Sequence, residues 1–395
     1  MERFLFNNHY PTSMNIATIS TRFYPAVGGV ETNSWEISRR LAMDDNNKVI
    51  ALSSEINTVD PRTYLPAHQV IENVNIFRFK NIMPHFIDKN GITGLIMPSL
   101  SLSFKKFINE YKIQIVHSHG YGFYPTYGIL PFARKRNFKW VISAHTSSES
   151  KLPRFLYDKS LGNLAIKNAD IIIVLSELER NFFLKLGARK EQLRLIPNGI
   201  FSEIPHLDKP DKEYDQILQE KYILFVGRLA PNKGLSILIE AFSKMKDKQL
   251  KLFIAGPDGG CLKNLEQLVR EKSLSNNVLF LGYTNNNTLH WLYKNSLFFC
   301  APSTYGEAQN ISATQALSYK KPVIVSNSGG MGDFYRNVNG AFIIEPGNAN
   351  KLKEAIEYVY KNLENIKISY DKNTIMTWEE VSDKVKNIYL ELLEK

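Results

Sequence analysis

A chain of 395 residues, 44% hydrophobic and 22% charged, has the composition of a soluble globular protein and exceeds the size at which one core normally divides, so two domains are expected. Its formal net charge is +10, and its only cysteines, Cys261 and Cys300, have neither CxxC spacing nor a disulfide framework, which points to a reducing compartment. No run approaches the roughly 20 apolar residues needed to span a bilayer, and residues 1–13 lack the apolar core of a signal peptide, so a cytoplasmic protein is expected.

Short apolar runs alternate with helix-like segments along both halves, the pattern of doubly wound parallel sheets in an α/β fold. Residues 1–13 form an N-terminal extension, and Met14 could serve as the initiator. Within a first domain, 14–200, strands are predicted at 14–20, 48–53, 74–79, 113–117, 140–145 and 171–175. Segment 201–221 holds two prolines, many charges and no strong period, and is predicted to be a linker. The second domain, 222–372, carries predicted strands at 222–226, 250–255, 278–282, 297–301, 322–326 and 341–344. In the terminal segment 373–395, Trp378, Val381, Val385, Ile388, Tyr389 and Leu392 recur at helical spacing.

Two segments of the second half carry chemistry. Tyr222-Ile-Leu-Phe-Val-Gly-Arg-Leu-Ala-Pro-Asn-Lys-Gly234 reads as a strand, a glycine turn and a helix start, with Arg228 and Lys233 in the turn. Two cations at the carboxyl end of a strand suit a diphosphate, Arg through bidentate bonds and Lys as a point charge. After the run 297–301, a loop of small and polar residues carries Glu307, and a helical segment opening at Ile311 carries Gln315. Such a loop offers backbone N–H groups and a positive helix end to an anion, so the carboxylate of Glu307 is expected to meet sugar hydroxyls rather than phosphates. His117 and His119 alternate on one strand end without an Asp, Glu or Cys partner, and are expected to line a cleft or be structural rather than to bind a metal.

In order and spacing, Arg228, Lys233, Glu307 and Gln315 resemble the donor site of the retaining glycosyltransferases of family four, group 1, which have the GT-B fold: two Rossmann-like doubly wound parallel-sheet domains facing a central cleft. The resemblance covers nearly all the chain from Met14. It implies that Gly28 and Gly29, in Phe23-Tyr-Pro-Ala-Val-Gly-Gly-Val-Glu31, let the backbone approach the donor phosphates. It implies also that His145, in Lys139-Trp-Val-Ile-Ser-Ala-His-Thr146, faces the donor sugar. The segments 171–176 and 195–199 are similar to the last strand and exit turn of the family's N-terminal domain, and the terminal helix is implied to pack back on that domain. One departure stands out. The family's second glutamate, which holds the ribose, is Gln315 here, and the aromatic-glycine pair after the first glutamate is Gln309-Asn310. Backbone contacts of Asn310 and Ile311 to the donor would survive these changes.

The resemblance implies transfer of a hexose-like sugar from a nucleoside-diphosphate-sugar to an acceptor hydroxyl, with retention and without a metal or other cofactor, the donor being a substrate. A non-catalytic nucleotide-sugar-binding protein of the same fold is the alternative. A glycosidase would need a second carboxylate where Gln315 stands, and a pyridoxal phosphate enzyme would need a cofactor lysine that is not identifiable. Residues 1–200 hold 25 basic against 16 acidic residues, net +9, and residues 201–395 hold 24 against 23, net +1. With Lys105, Lys106, Arg134, Lys135, Arg136, Lys151 and Arg154 in the basic half, preceded by apolar Leu95, Ile96, Met97, Leu100, Leu102 and Phe104, a lipid-linked acceptor and peripheral docking on an anionic inner membrane face are expected. No nucleic-acid motif is present.

Overall fold

The computed structural model describes residues 13–57, 63–82, 96–134, 136–146, 152–201, 214, 217–247, 249–372 and 374–394, so the extension 1–13 and the linker 201–221 lie largely outside the described residues. The described strands form two sheets. The first contains β1 (Asn15–Ile19), β2 (Lys48–Ser54), β3 (His68–Ile71), β4 (Val74–Phe79), β5 (Ile115–His119), β6 (Lys139–Ser143), β7 (Ile171–Val174) and β8 (Leu193–Leu195), in the order β3-β4-β2-β1-β5-β6-β7-β8. All neighbours are parallel except β3, which pairs antiparallel with β4. The second contains β9 (Tyr222–Val226), β10 (Lys251–Ala255), β11 (Val278–Gly282), β12 (Phe298–Ala301), β13 (Val323–Ser326) and β14 (Ala341–Ile344), all parallel, in the order β11-β10-β9-β12-β13-β14.

Parallel strands are buried on both faces and so read as continuous apolar runs, as in Ile-Ile-Ile-Val of β7. On one face of the first sheet, Ile50, Leu52, Val116 and Ile142 pack with Leu100 and Phe104 of the helix Pro98–Glu110. On the other, Ile16, Val49, Ile115 and Val141 pack with Trp35 of the helix Gly29–Leu41 and with Trp378, Val381 and Val385 of the last helix, Trp378–Leu393. A capping box, Thr377 with Glu380, starts that last helix. The chain returns to the first sheet beside its own exit from it: Ile200 N donates to Met376 O at 2.9 Å and Trp378 N to Ile200 O at 3.0 Å.

The packing corrects the reading of the apolar segment before Lys105. Met97, Leu100 and Phe104 are at most 1% exposed, and Ile96 packs on the same core. Leu100, Phe104 and Ile108 form the inner stripe of an amphipathic helix. Leu102 alone of the described group is outside, at 87% exposure, next to exposed Lys105 and Lys106, and Leu95 lies outside the described residues. None of the described helices is long and apolar enough to cross a membrane.

Candidate active site

β9 and β12 are neighbours in the second sheet, so the loops at their carboxyl ends meet, the place where open α/β sheets hold ligands. The first loop makes a short turn, Pro231–Lys233, that ends at Gly234 with φ of 69°. A Cβ on Gly234 would lie 1.9 Å from the Pro302 carbonyl oxygen, so glycine is required where the two loops touch. Thr304 N donates to Asn232 O at 2.8 Å and joins them further. This junction brings Lys233 Nζ into an ion pair with Glu307 Oε1. The other carboxylate oxygen accepts from Asn310 Nδ2 at 2.8 Å, while Asn310 Oδ1 accepts from Ala313 N at 2.9 Å and caps the helix Ile311–Ser318. Gly330 N donates to Glu307 O at 2.8 Å, which pins the backbone of the glutamate. Glu307, expected to face sugar hydroxyls, has Lys233 and Asn310 as the partners of its carboxylate. Arg228 sits on the same loop, partly buried, its stem passing the backbone of Gly259: a Cβ there would lie 2.9 Å from Arg228 Cγ.

Across the domain boundary, Gly28 caps the helix Gly29–Leu41, and a Cβ on Gly29 would lie 3.8 Å from Ile311 Cδ1. Two helix N-termini, at Gly29 and at Ile311, therefore lie side by side across the boundary, and both carry partial positive charge. A Cβ on Gly28 would lie 2.2 Å from Glu31 Oε2, whose other oxygen accepts from Arg22 Nε at 2.8 Å. His145 is placed two residues beyond the end of β6, not within the strand, with φ of 44°. Its Nε2 lies 3.4 Å from His119 Nδ1. Behind them, His117 bonds Tyr389 of the last helix at 2.6 Å and Ser143 at 2.8 Å, so His117 is structural. Burial pushes His117 down to about 3, aided by His145, and His119 well below the usual imidazole range, aided by both neighbours. Burial likewise pushes His145 down to about 4, against the pull of the Glu31 carboxylate. All three are neutral at pH 7.

Several residues at this site carry no signal in the sequence. Glu179, 1% exposed, accepts from Thr146 N and Leu175 N at 2.7 Å each and so shapes the turn after His145. Glu31 and Arg22 flank the glycine pair as ordinary charges. Gln315 stands on the helix as expected, but its side chain turns to the end of the first domain: Oε1 accepts from Phe201 N at 3.0 Å and Nε2 donates to Ser318 Oγ at 2.8 Å. Both ends of the amide expected at the ribose thus have protein partners. Among the described residues no cluster of His, Cys, Asp or Glu has the makings of a metal site.

Comparison with known proteins agrees with this architecture. The family model for Glycosyltransferase Family 4 matches residues 27–203, and that for Glycosyl transferases group 1 matches residues 209–373. An uncharacterized glycosyltransferase of Methanocaldococcus jannaschii is 25% identical, over 95% of this chain and 98% of its own. The GPI3 subunit of phosphatidylinositol N-acetylglucosaminyltransferase from Saccharomyces cerevisiae is 23% identical, over 68% of this chain and 58% of its own. The structure of Anabaena HepE in complex with UDP-glucose superimposes with a TM-score of 0.70 at 19% identity, covering 96% of this chain and 98% of HepE. Two matched models that between them span most of the chain, on two parallel-sheet domains whose loops meet at Lys233 and Glu307, place it among the GT-B glycosyltransferases of family four, group 1.

Proposed function

We propose that the chain moves a hexose-like sugar from a nucleoside-diphosphate donor to an acceptor hydroxyl with retention at the anomeric carbon. The observation that carries this reading is the cluster Lys233, Glu307 and Asn310, set beside two neighbouring helix N-termini. In the proposed reaction the bond from the anomeric carbon to the diphosphate oxygen breaks and the acceptor oxygen bonds that carbon on the same face. The hydroxyl proton passes to the leaving diphosphate. Lys233, Arg228 and the amides at Gly28, Gly29, Asn310 and Ile311 meet the charge that develops on the diphosphate, where preorganised donors lower a barrier most. These groups supply the positive field, so the proposal invokes no metal. In the proposed complex the phosphates bond Lys233 and the sugar hydroxyls bond Glu307. His145, neutral at pH 7, bonds a sugar hydroxyl without adding charge to the site.

The first domain, 14–200, is proposed to bind the acceptor and the second, 222–372, the donor. A UDP-glucose complex of a protein of the same fold supports a nucleoside-diphosphate-sugar as donor class, and a relative named for transfer to phosphatidylinositol supports a lipid-linked acceptor. The charge asymmetry supports docking of the first domain on an anionic membrane surface at the cytoplasmic face. Incubation with a panel of nucleoside-diphosphate-sugars and a lipid extract, followed by NMR of the product's anomeric coupling, tests the reading. Transfer with retained configuration supports it, and inversion refutes it. Donor binding without turnover would favour the non-catalytic alternative.

A further inference from the structure

Two of the three positions at which this chain departs from the family pattern, 309 and 315, hold one and the same piece of backbone. Gln309 Oε1 accepts from Asn198 N at 2.6 Å, and Gln309 Nε2 donates to Asn198 O at 3.2 Å, a two-point grip on a single residue. Gln315 Oε1 accepts from Phe201 N at 3.0 Å. Between them Ile200 N is taken by Met376 O. The first domain is tied to the same segment, since Asn33 Nδ2, on the helix that begins at the glycine pair, donates to Asn198 Oδ1 at 2.8 Å. Asn33, Asn198, Gln309 and Gln315 are all at most 8% exposed, so these bonds form where water does not compete. From Gln309 the contact runs straight into the donor loop, because its neighbour Asn310 bonds the Glu307 carboxylate and Gln309 Nε2 itself reaches Thr314 Oγ1 at 3.4 Å.

We propose that Gln309 and Gln315 are positioning residues that clamp the exit segment of the first domain, 198–201, onto the donor loop, and so set the glycine pair in register with Lys233 and Glu307. The physical requirement is a side chain that accepts from one N–H and donates to a carbonyl of the same residue. An amide at 309 does both; the aromatic residue usual at that position in the family does neither, and a carboxylate would set its charge against Asn198 O. At 315 only an acceptor is needed, which either Gln or Glu provides. The consequence is that nucleotide recognition in this chain does not depend on the side chain at 315, which the clamp uses. The proposal rests on Lys233 and Glu307 being the donor site, but its test separates the two.

Backbone hydrogen exchange on the full chain, without substrate, reads the clamp directly. Gln309→Met and Gln315→Met keep side-chain length and remove the amide. Exchange at Asn198 in the first and at Phe201 in the second is expected to quicken about tenfold, the loss of one neutral hydrogen bond, whereas Gln315→Glu keeps Phe201 protected. In transfer assays kcat of Gln309→Met is expected to fall about tenfold with the donor KM little changed, since the donor's own contacts remain. Unchanged exchange at both amides overturns the clamp. Faster exchange with unchanged kcat overturns the positioning role and leaves a purely structural bond. Should the parent protein turn over no donor, the proposed function fails while the exchange data still decide the clamp.

Discussion

Replacing Lys233 by Met keeps the stem and removes the charge that faces Glu307. Glu307 is 7% exposed and Lys233 22%, so the two partners do not suffer equally from losing each other. Removing one member of a fully buried pair costs about 3–5 kcal/mol because the other is left charged and dry. Here Asn310 Nδ2 still bonds the second carboxylate oxygen at 2.8 Å, and the site opens to water on the lysine side, which brings the expected loss of stability to about 2 kcal/mol. Glu307→Gln leaves the lysine, which can turn to water, and is expected to cost about 1 kcal/mol or less. Urea unfolding followed by tryptophan fluorescence measures both. Transfer should respond more strongly than stability: losing one preorganised donor to the leaving group raises the barrier by about 2–4 kcal/mol, or roughly 30- to 1000-fold in kcat/KM. Turnover of Lys233→Met within threefold of the parent would refute the role of this pair in transfer. A Glu307→Gln protein less stable than Lys233→Met would refute the argument about which partner is the drier.

Arg228→Ala, on the same loop, is expected to cut turnover by a similar factor with urea unfolding little changed, because its side chain fills no core; a stability loss as large as the rate loss would assign it a structural role. Gly234→Ala meets both a left-handed φ of 69° and the Pro302 carbonyl, and should lose roughly 2 kcal/mol or more together with donor binding; calorimetry with a nucleoside diphosphate and unfolding curves read the two effects. His117 and His145 are held near 3 and 4, below the ordinary 6.5, so between about pH 6.5 and 4 the unfolded chain takes up protons that the folded chain refuses. Stability is fully present above pH 6.5 and falls with acid, by on the order of 3 kcal/mol at pH 4 for His117 alone, and a His117→Gln protein whose acid transition is just as steep would contradict this. For membrane docking, the parent protein should sediment with anionic vesicles at low salt, and neutralising exposed Lys105, Lys106 and Arg134 should weaken this by about 1 kcal/mol per charge. Absence of the parent protein from the vesicle pellet would remove the support for docking.

Strand positions were legible because a parallel strand covered on both faces needs an unbroken apolar run, and such runs stand out against amphipathic neighbours. The bounds of β4, β9, β11 and β14 coincide with those read from the sequence. β3, an edge strand with alternate residues exposed, and β8, of three residues, escaped because edges need no such run. Lys233 and Glu307 could be singled out by residue type and by their place after a strand. Their pairing, between residues 74 apart in the chain, could not, since it depends on β12 lying next to β9. The direction of Leu100 and Phe104, inward rather than toward a bilayer, was likewise settled by what lay beneath the helix. So was the role of Gln315, which the family resemblance assigns to the ribose while the backbone that reaches it is Phe201. Residue type and local spacing constrain which groups can do chemistry, because they are properties of neighbours along the chain. Which groups meet depends on strand order and on how the domains join, and no local pattern encodes those contacts.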